Sequence, residues 1–426
     1  MKLWDKGYTT DNIVERFTVG NDRELDLKLA KYDVQGNIAH AKMLQHIGIL
    51  TEAELADILG ALGEIAETIE NGTFIIEESF EDVHSKIEHE LVQKIGEAGK
   101  KIHTARSRND QVLVDLHLYA KGEIQSLKSA VQTLFKTLIE RAAQHQDVLM
   151  PGYTHLQVAM PSSVGLWLSA YAESLIDDVI LLNAAYKIAD QNPLGSAAGY
   201  GSSFPIDRGM TTELLGFETM KYNVIAAQMS RGKMEKSVSF ALSSVAGTLA
   251  KFSADVCLFM SQNFGFIGFP KELTTGSSIM PHKQNPDVFE LMRARCNKIQ
   301  NLPAEIGLIT NNLTSGYHRD FQMLKQSLME AIEVLKDNLE VCNFMLQHLQ
   351  VKEDLMNNPI YDYLYSVEEV NKRVMNGMAF REAYQEIGKE IMAGNFNPEK
   401  KVEHTHEGSI GNLCLKEIEE KFERCY

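Results

Sequence analysis

From about residue 233 to residue 262 the chain contains no proline, and its apolar residues fall at Val238, Leu242, Val245, Leu249, Phe252, Val256 and Phe259. The spacings alternate four and three. That is the rhythm of a helix packed against other helices along its whole length, and a helix of roughly 30 residues is about 45 Å long. Four more runs keep this step. One covers about 109–146, with Ile124, Leu127, Val131, Leu134 and Leu138 in register. One follows Pro161, with Val164, Leu168, Tyr171, Leu175, Val179, Leu182 and Tyr186. One begins near Pro286 and stops before Pro303, and the last spans about 319–350. No run alternates convincingly with the period of two that marks a half-buried strand. The expected fold is all-α, with a long central five-helix bundle. Helices this long carry more apolar surface than one chain readily covers, so the bundle is expected to be shared between copies in a homo-oligomer.

Length and charge bound the rest. With 426 residues the chain exceeds a single compact core. Residues 1–105 carry shorter helical patterns broken by Gly48, Gly72, Gly96 and Gly99; residues 106–350 hold the bundle; residues 351–426, with "NNP" and "GNFNPEKK", read as a smaller helical domain. A net charge of −16 offers no basic face to nucleic acid or an acidic membrane. No apolar run approaches the ~20 residues that span a bilayer, and "MKLWDKGYTT" lacks a signal-peptide core. Five cysteines without a C-x-x-C point to reduced thiols in the cytoplasm rather than to disulfides or zinc.

Several connections between the long helices are chemically rich. In "GSSIMPHKQNPDVFE", residues 276–290, Asn285-Pro286-Asp287 is a helix entry, with Asn285 able to cap it. Free N–H groups at a helix start can hold an anion. Lys283 adds a positive charge, Ser277 and Ser278 add hydroxyls, and Gly276 lets the backbone bend around a ligand. The plain alternative is a Gly-Ser connector before a capped helix. In "KIHTARSRNDQV", residues 101–112, Arg106 and Arg108 precede another helix that Ser107 or Asn109 can cap; arginine grips carboxylates with a two-pronged fork, or simply faces solvent. In "MPGYTHLQVAMP", residues 150–161, His155 sits in a polar connection beside Thr154 and Gln157. A histidine there can move protons near neutral pH, although any lone histidine is more often a surface residue. In "SGYHRDFQMLKQ", residues 315–326, Gln322 and Lys325 share a helix face near Tyr317, which alone reads as a polar helix start. Glu81-x-x-His84 has the spacing of one arm of a di-metal site, but suitable bundle glutamates to complete it are missing, so no metal is assigned. Helix starts, Arg or Lys, hydroxyls and a histidine together describe a site for a di- or tricarboxylate with a proton-transfer step. There is no P-loop, no G-x-G-x-x-G after a strand and no G-x-S-x-G, so nucleotide cofactors and an elbow-type serine hydrolase are disfavoured.

"GSSIMPHKQNP" resembles the signature loop of the fumarase/aspartase superfamily. "HTARSRNDQV", "PGYTHLQ", "EDVHSKIE", "NPLGSAAGYG", "YHRDFQMLKQ" and the stretch from "LWDKGYTTDN" to "NIAHAKML" resemble its argininosuccinate lyase branch, over nearly the whole chain. The resemblance implies a homotetramer whose sites are each built by three chains, no cofactor, and anti elimination that releases fumarate. It implies Ser277 as base, Lys283 as counter-charge, His155 as acid or proton relay and Glu290 as its partner. It implies substrate contacts from Ser107, Arg108, Asn109, Thr154, Asn285, Tyr317, Gln322 and Lys325, and places His84 near the site. Three departures bear on substrate selectivity: Gly232 after Arg231; a lengthened "FTVGNDRELD" that lacks the family's serine but keeps Asp26; and a divergent C-terminal region from "YDYLYSVEEV". The competing expectations are a sister lyase acting on another N-substituted aspartate and a non-catalytic relative like the lens crystallins. The Arg-Ser-Arg-Asn-Asp stretch argues against the first, and the intact Ser277, Lys283, His155 and Glu290 against the second.

Overall fold

The computed structural model describes residues 12–426. The opening residues on which part of the resemblance rests, 1–11, lie outside the described residues. The five long runs are helices: Arg108–Gln144, Val164–Ala189, Lys233–Phe259, Asp287–Gln300 and Met323–Gln347. The chain divides into two compact units, each assembled from three stretches: 1–127, 181–243 and 299–334 in the first, and 128–180, 244–298 and 335–426 in the second.

In the first unit, helices Ala30–His46, Glu52–Glu70 and Val83–Ile95 enclose a core of Val34, Leu44, Ile58, Leu62, Ile65, Val83, Ile87, Leu91 and Ile102. Each such buried side chain stabilises the fold by about 1.5–3 kcal/mol. The helix starts are set locally. Thr51 Oγ1 accepts from the Glu54 N–H and Glu54 returns the bond to the Thr51 N–H, a reciprocal cap. Asp82 accepts from the Ser85 N–H at 2.8 Å and opens the next helix. At the Arg108–Gln144 helix, Ser107 Oγ accepts from the Asn109 N–H and Asp110 Oδ1 from the Ser107 N–H. The second oxygen of Asp110 accepts from the N–H groups of Gly195 and Ala197, so the "NPLGSAAGYG" loop is fastened to this helix start.

In the second unit, segments of all five long helices pack together. Leu134 and Leu138, Tyr171 and Leu175, Leu249 and Phe252, and Cys342 and Leu346 face a common apolar seam. The fourth helix joins them through Phe289 against Phe252 and through Cys296, whose sulfur accepts from the Asn338 amide. Polar residues inside this packing are paired: Asp178 accepts from Ser244 and Thr248, and Asp255 from Trp167 and Tyr171. The Lys233–Phe259 helix is, by length and composition alone, apolar enough to cross a membrane, which amends the expectation that no run comes close. Its hydroxyls bonded to Asp178 and its buried Val245, Leu249 and Phe252 are those of a bundle helix. Near the C-terminus, helices Ser366–Met375 and Phe380–Met392 close a small core of Val370, Ala383 and Ile387.

Among the described residues the chain is all-α apart from three two-stranded pieces. The connection expected at 150–161 is one of them: strands Leu149–Thr154 and Gln157–Ser163 pair antiparallel, with Thr154 opposite Gln157. Pro151, Gly152 and Pro161 disguise the strands, because these residues usually break them. Here the ladder bulges between Pro151 and Tyr153, and Gly152 admits the Met160 carbonyl where a Cβ would come within 2.8 Å. Likewise, Asn285 does not cap the next helix. Its amide donates weakly back across the loop, to Thr275 Oγ1 and the Gly276 carbonyl.

Candidate active site

In the first unit a cleft of about 210 Å³ is lined by Arg108, Asn109, Tyr317, Gln322 and Lys325, five of the residues expected to hold substrate, together with His84. Of the acids beside Lys325, only Asp26 was marked in the sequence, as a retained acidic position. Lys325 Nζ lies 2.7 Å from both Asp22 and Asp26, side chains projecting from one short helix, Asp22–Asp26. Burial works against the Lys325 charge, but Asp26 and Asp22 outweigh it and hold its pKa above the usual lysine value. Arg108 is gripped by Asp82 at 2.9 Å and donates to Ser85 Oγ at 3.0 Å. Arg319 pairs with Glu81 and donates to the Gln322 side-chain oxygen, while the Gln322 amide donates to the Thr18 and Val19 carbonyls. The cleft is therefore not simply cationic. Asp22, Asp26, Glu81 and Asp82 line it beside Arg108, Arg231, Arg319 and Lys325, a lining suited to a ligand that carries both carboxylates and cationic nitrogens.

Of the two neighbouring arginines, only Arg108 reaches this cleft. Arg106 is buried and donates to Asn37 at 2.7 Å, in a structural role. Ser107 is engaged at the helix start. Arg231, not singled out from sequence, lines the cleft: Nε pairs with Glu235 at 2.8 Å and Nη2 donates to the Phe321 carbonyl at 2.7 Å. The departure at Gly232 has its reason here. Gly232 has φ +82, its N–H donates to Glu235 at 2.7 Å, and a Cβ would sit 2.7 Å from Thr310 Cγ2. The turn aims Glu235 at Arg231. Gly232→Ala is expected to cost roughly 2–4 kcal/mol, combining left-handed strain with overpacking; an unchanged urea midpoint would show that the turn relaxes instead.

In the second unit a different cleft is lined by Lys283, Asn285 and Glu290, with His282, Asp287 and Cys257. The later part of the signature loop, from Met280 to Asp287, supplies much of its lining, and the loop is tied at its base where the Asn285 N–H donates to the Thr275 carbonyl at 2.9 Å. Ser277 does not line this cleft. Its Oγ accepts from the N–H groups of Ile279 and Met280 at 3.4 and 3.2 Å. Two donors aimed at one hydroxyl oxygen favour negative charge on it. Lys283 is exposed and has no ion-pair partner among the described residues. His155 and Thr154 sit at the tip of the hairpin, exposed, and line neither cleft. The expected pairing of His155 with Glu290 is not formed within the chain. His155 and Leu156 both have positive φ, 54 and 58. A two-residue hairpin demands that conformation, and it is usually met by Asn-Gly. Holding two ordinary side chains there costs of order 1 kcal/mol or more each and fixes the histidine outward.

The sequence pattern of a lyase family matches residues 6–301. The argininosuccinate lyase of Bacteroides fragilis is 55% identical over 423 residues, covering 99% of this chain and 95% of that protein. That of Parabacteroides distasonis is 57% identical over 417 residues, covering 98% and 94%. Among solved structures, a class II fumarase from Schistosoma mansoni shares the fold, with a TM-score of 0.71 and 17% identity over 90% of this chain and 93% of that one.

Proposed function

The chain belongs to the argininosuccinate lyase family, and from that membership we propose that it cleaves argininosuccinate to arginine and fumarate, a C–N lyase step of arginine biosynthesis. Near-full-length identity of 55–57% to enzymes of that name carries the reading. The first cleft agrees with it chemically. Argininosuccinate bears carboxylates, an ammonium and a guanidinium, and the cleft offers cations and acids in equal number.

In the proposed reaction Ser277 takes the proton beside a succinyl carboxylate. Its Oγ already accepts two backbone N–H bonds, which stabilise the alkoxide this step requires. Lys283 balances the charge that builds on the aci-carboxylate, and Asn285 holds that carboxylate. His155, oriented by Glu290, returns a proton to the departing guanidino nitrogen. Arg108, Asn109, Tyr317, Gln322 and Lys325 hold the substrate, with Ser107 and Thr154 contributing at the helix start and the hairpin tip. Elimination of this kind moves protons and an electron pair only, so the scheme calls on no cofactor.

The machinery is proposed to assemble in a homotetramer, with sites shared by three chains. Large apolar side chains stand exposed on the bundle helices, Met323 at 61%, Leu291 at 59% and Phe240 at 54%, as expected of a surface that meets another copy. None of the five cysteines is in a disulfide among the described residues, which accords with a cytoplasmic setting.

The deciding experiment follows fumarate absorbance with argininosuccinate and adenylosuccinate offered separately, and repeats the assay on dilution with light scattering alongside. Release from argininosuccinate alone, lost as the oligomer dissociates, is expected. Release from adenylosuccinate would favour the sister lyase, turnover by neither the crystallin-like relative, and a fully active monomer would refute the shared site.

A further inference from the structure

Behind the first cleft lies a buried group that the proposed reaction leaves unused. Asp33, His84 and Asp115 are 0%, 3% and 0% exposed. His84 Nδ1 is 2.7 Å from Asp33 Oδ1 and 3.7 Å from Asp115 Oδ2. Asp33 is richly supplied with donors: Gln111 reaches Oδ1 at 2.8 Å and Asn37 reaches Oδ2 at 2.9 Å. Among the described residues Asp115 has none, and both of its oxygens are buried without a hydrogen-bond donor. Two adjacent carboxyls in such a place cannot both ionise. Burial and the neighbouring Asp33 charge push the Asp115 carboxyl well up, while Asp33, buried but facing His84, stays low.

At the far end of the imidazole, His84 Nε2 is buried and has no partner among the described residues, although His84 lines the cleft beside Arg108, Asn109 and Lys325. Burial opposes its charge, but Asp33, then Asp82 and Asp26, outweigh that and raise its pKa. The ligand atoms of Asp33, His84 and Asp115 lie within 4.8 Å of one another, close enough for a metal ion. Asp33 is, however, already engaged by an imidazole and two amides, and the buried Arg106 guanidinium supplies positive charge beside it. With those donors and that charge in place, the group has little need of a metal ion.

We propose that Asp33 and Asp115 share one proton and act as positioning residues that hold His84 as an imidazolium, its Nε2–H presented to the cleft as a donor to a carboxylate of the substrate. The proposal rests on the lyase reading for its substrate. The charged groups around His84 are Asp33 from the Ala30–His46 helix, Asp26 from the Asp22–Asp26 helix, Asp82 at the start of its own helix and Asp115 from the Arg108–Gln144 helix. Arg108, Arg231, Arg319 and Lys325 share the cleft wall.

The test is steady-state fumarate release by three variants of the full-length enzyme, with inhibition by fumarate and by arginine measured alongside. Asp115→Asn keeps a neutral group beside Asp33 but loses the shared proton, so kcat/KM should fall by about threefold to tenfold with native circular dichroism. Asp33→Asn removes the largest charge that holds His84 protonated; kcat/KM should fall about 100-fold at pH 8 and recover in part toward pH 6, because Asp82 and Asp26 still favour the imidazolium. His84→Gln should raise KM more than it lowers kcat and weaken inhibition by one product at least tenfold, identifying the bound carboxylate as that of fumarate or of arginine. An inactive Asp115→Asn with native circular dichroism, a pH-independent deficit in Asp33→Asn, or unchanged inhibition of His84→Gln by both products would each overturn the proposal, as would stoichiometric metal in the purified enzyme. Should Asp115→Asn not fold, the His84→Gln inhibition decides alone. Wild-type enzyme that releases no fumarate would sink the lyase reading instead, and direct titration of the products onto wild type and His84→Gln would still test the contact.

Discussion

Ser277→Ala is expected to leave the helical fold and its urea midpoint unchanged while kcat for fumarate release falls by about three orders of magnitude. The side chain supports nothing else among the described residues. Its Oγ only receives N–H bonds from Ile279 and Met280, in a loop whose base is tied independently by Thr275 and Asn285. Losing the hydroxyl leaves two partly exposed N–H groups that water can satisfy, at small cost. The reaction, in contrast, loses its proposed base and the oxygen on which those donors would stabilise charge. Single-turnover fumarate absorbance, with circular dichroism as the control, reads both halves. A wild-type rate would remove Ser277 from the chemistry, and a lost fold would show that the loop is structural.

Lys325→Met should have the largest effect on stability, about 3–5 kcal/mol, because it leaves two acids facing each other in a buried site without their cation. Lys325 is 5% exposed and is the common partner of Asp22 and Asp26. The loss should depend on pH with a definite sign. Burial and the neighbouring Asp26 already raise the Asp22 carboxyl against the pull of Lys325, and without that lysine the rise above the unfolded value is larger. A raised folded pKa gives stability that is complete at low pH and is lost as pH climbs through it. The variant should therefore stand closest to wild type near pH 5 and furthest from it near pH 8. Urea midpoints at both values check this, and a deficit that is constant or grows toward acid would contradict the buried-pair account.

The long helices were legible because a heptad stripe is a local signal: Val238 to Phe259 announces a helix, and the helix found is Lys233–Phe259. Lys283, Asn285 and Glu290 lie close in sequence and meet in one cleft. What local pattern hides is pairing. No local pattern in "TARSRND" separates the buried Arg106 from the cleft-facing Arg108; only the family resemblance singled out Arg108. Asp22 and Asp26 are four apart and visibly share a face, but their use appears only when the fold delivers Lys325 from the far side of the sequence. The hairpin at 149–163 was missed because its prolines and Gly152 deny a strand on propensity, whereas bulge geometry and a close backbone approach permit it.

The interleaved division of the chain also governs the order of events at the ribosome. The first unit draws its last stretch from residues 299–334, and the second from 335–426. At the usual pace of synthesis, tens of seconds pass between the emergence of the first long helix and that of its final neighbours. Only the small core between Ala30 and Ile102 is contiguous enough to close early. Until then the apolar stripes of the nascent helices have no native cover, which leaves the half-made chain open to aggregation.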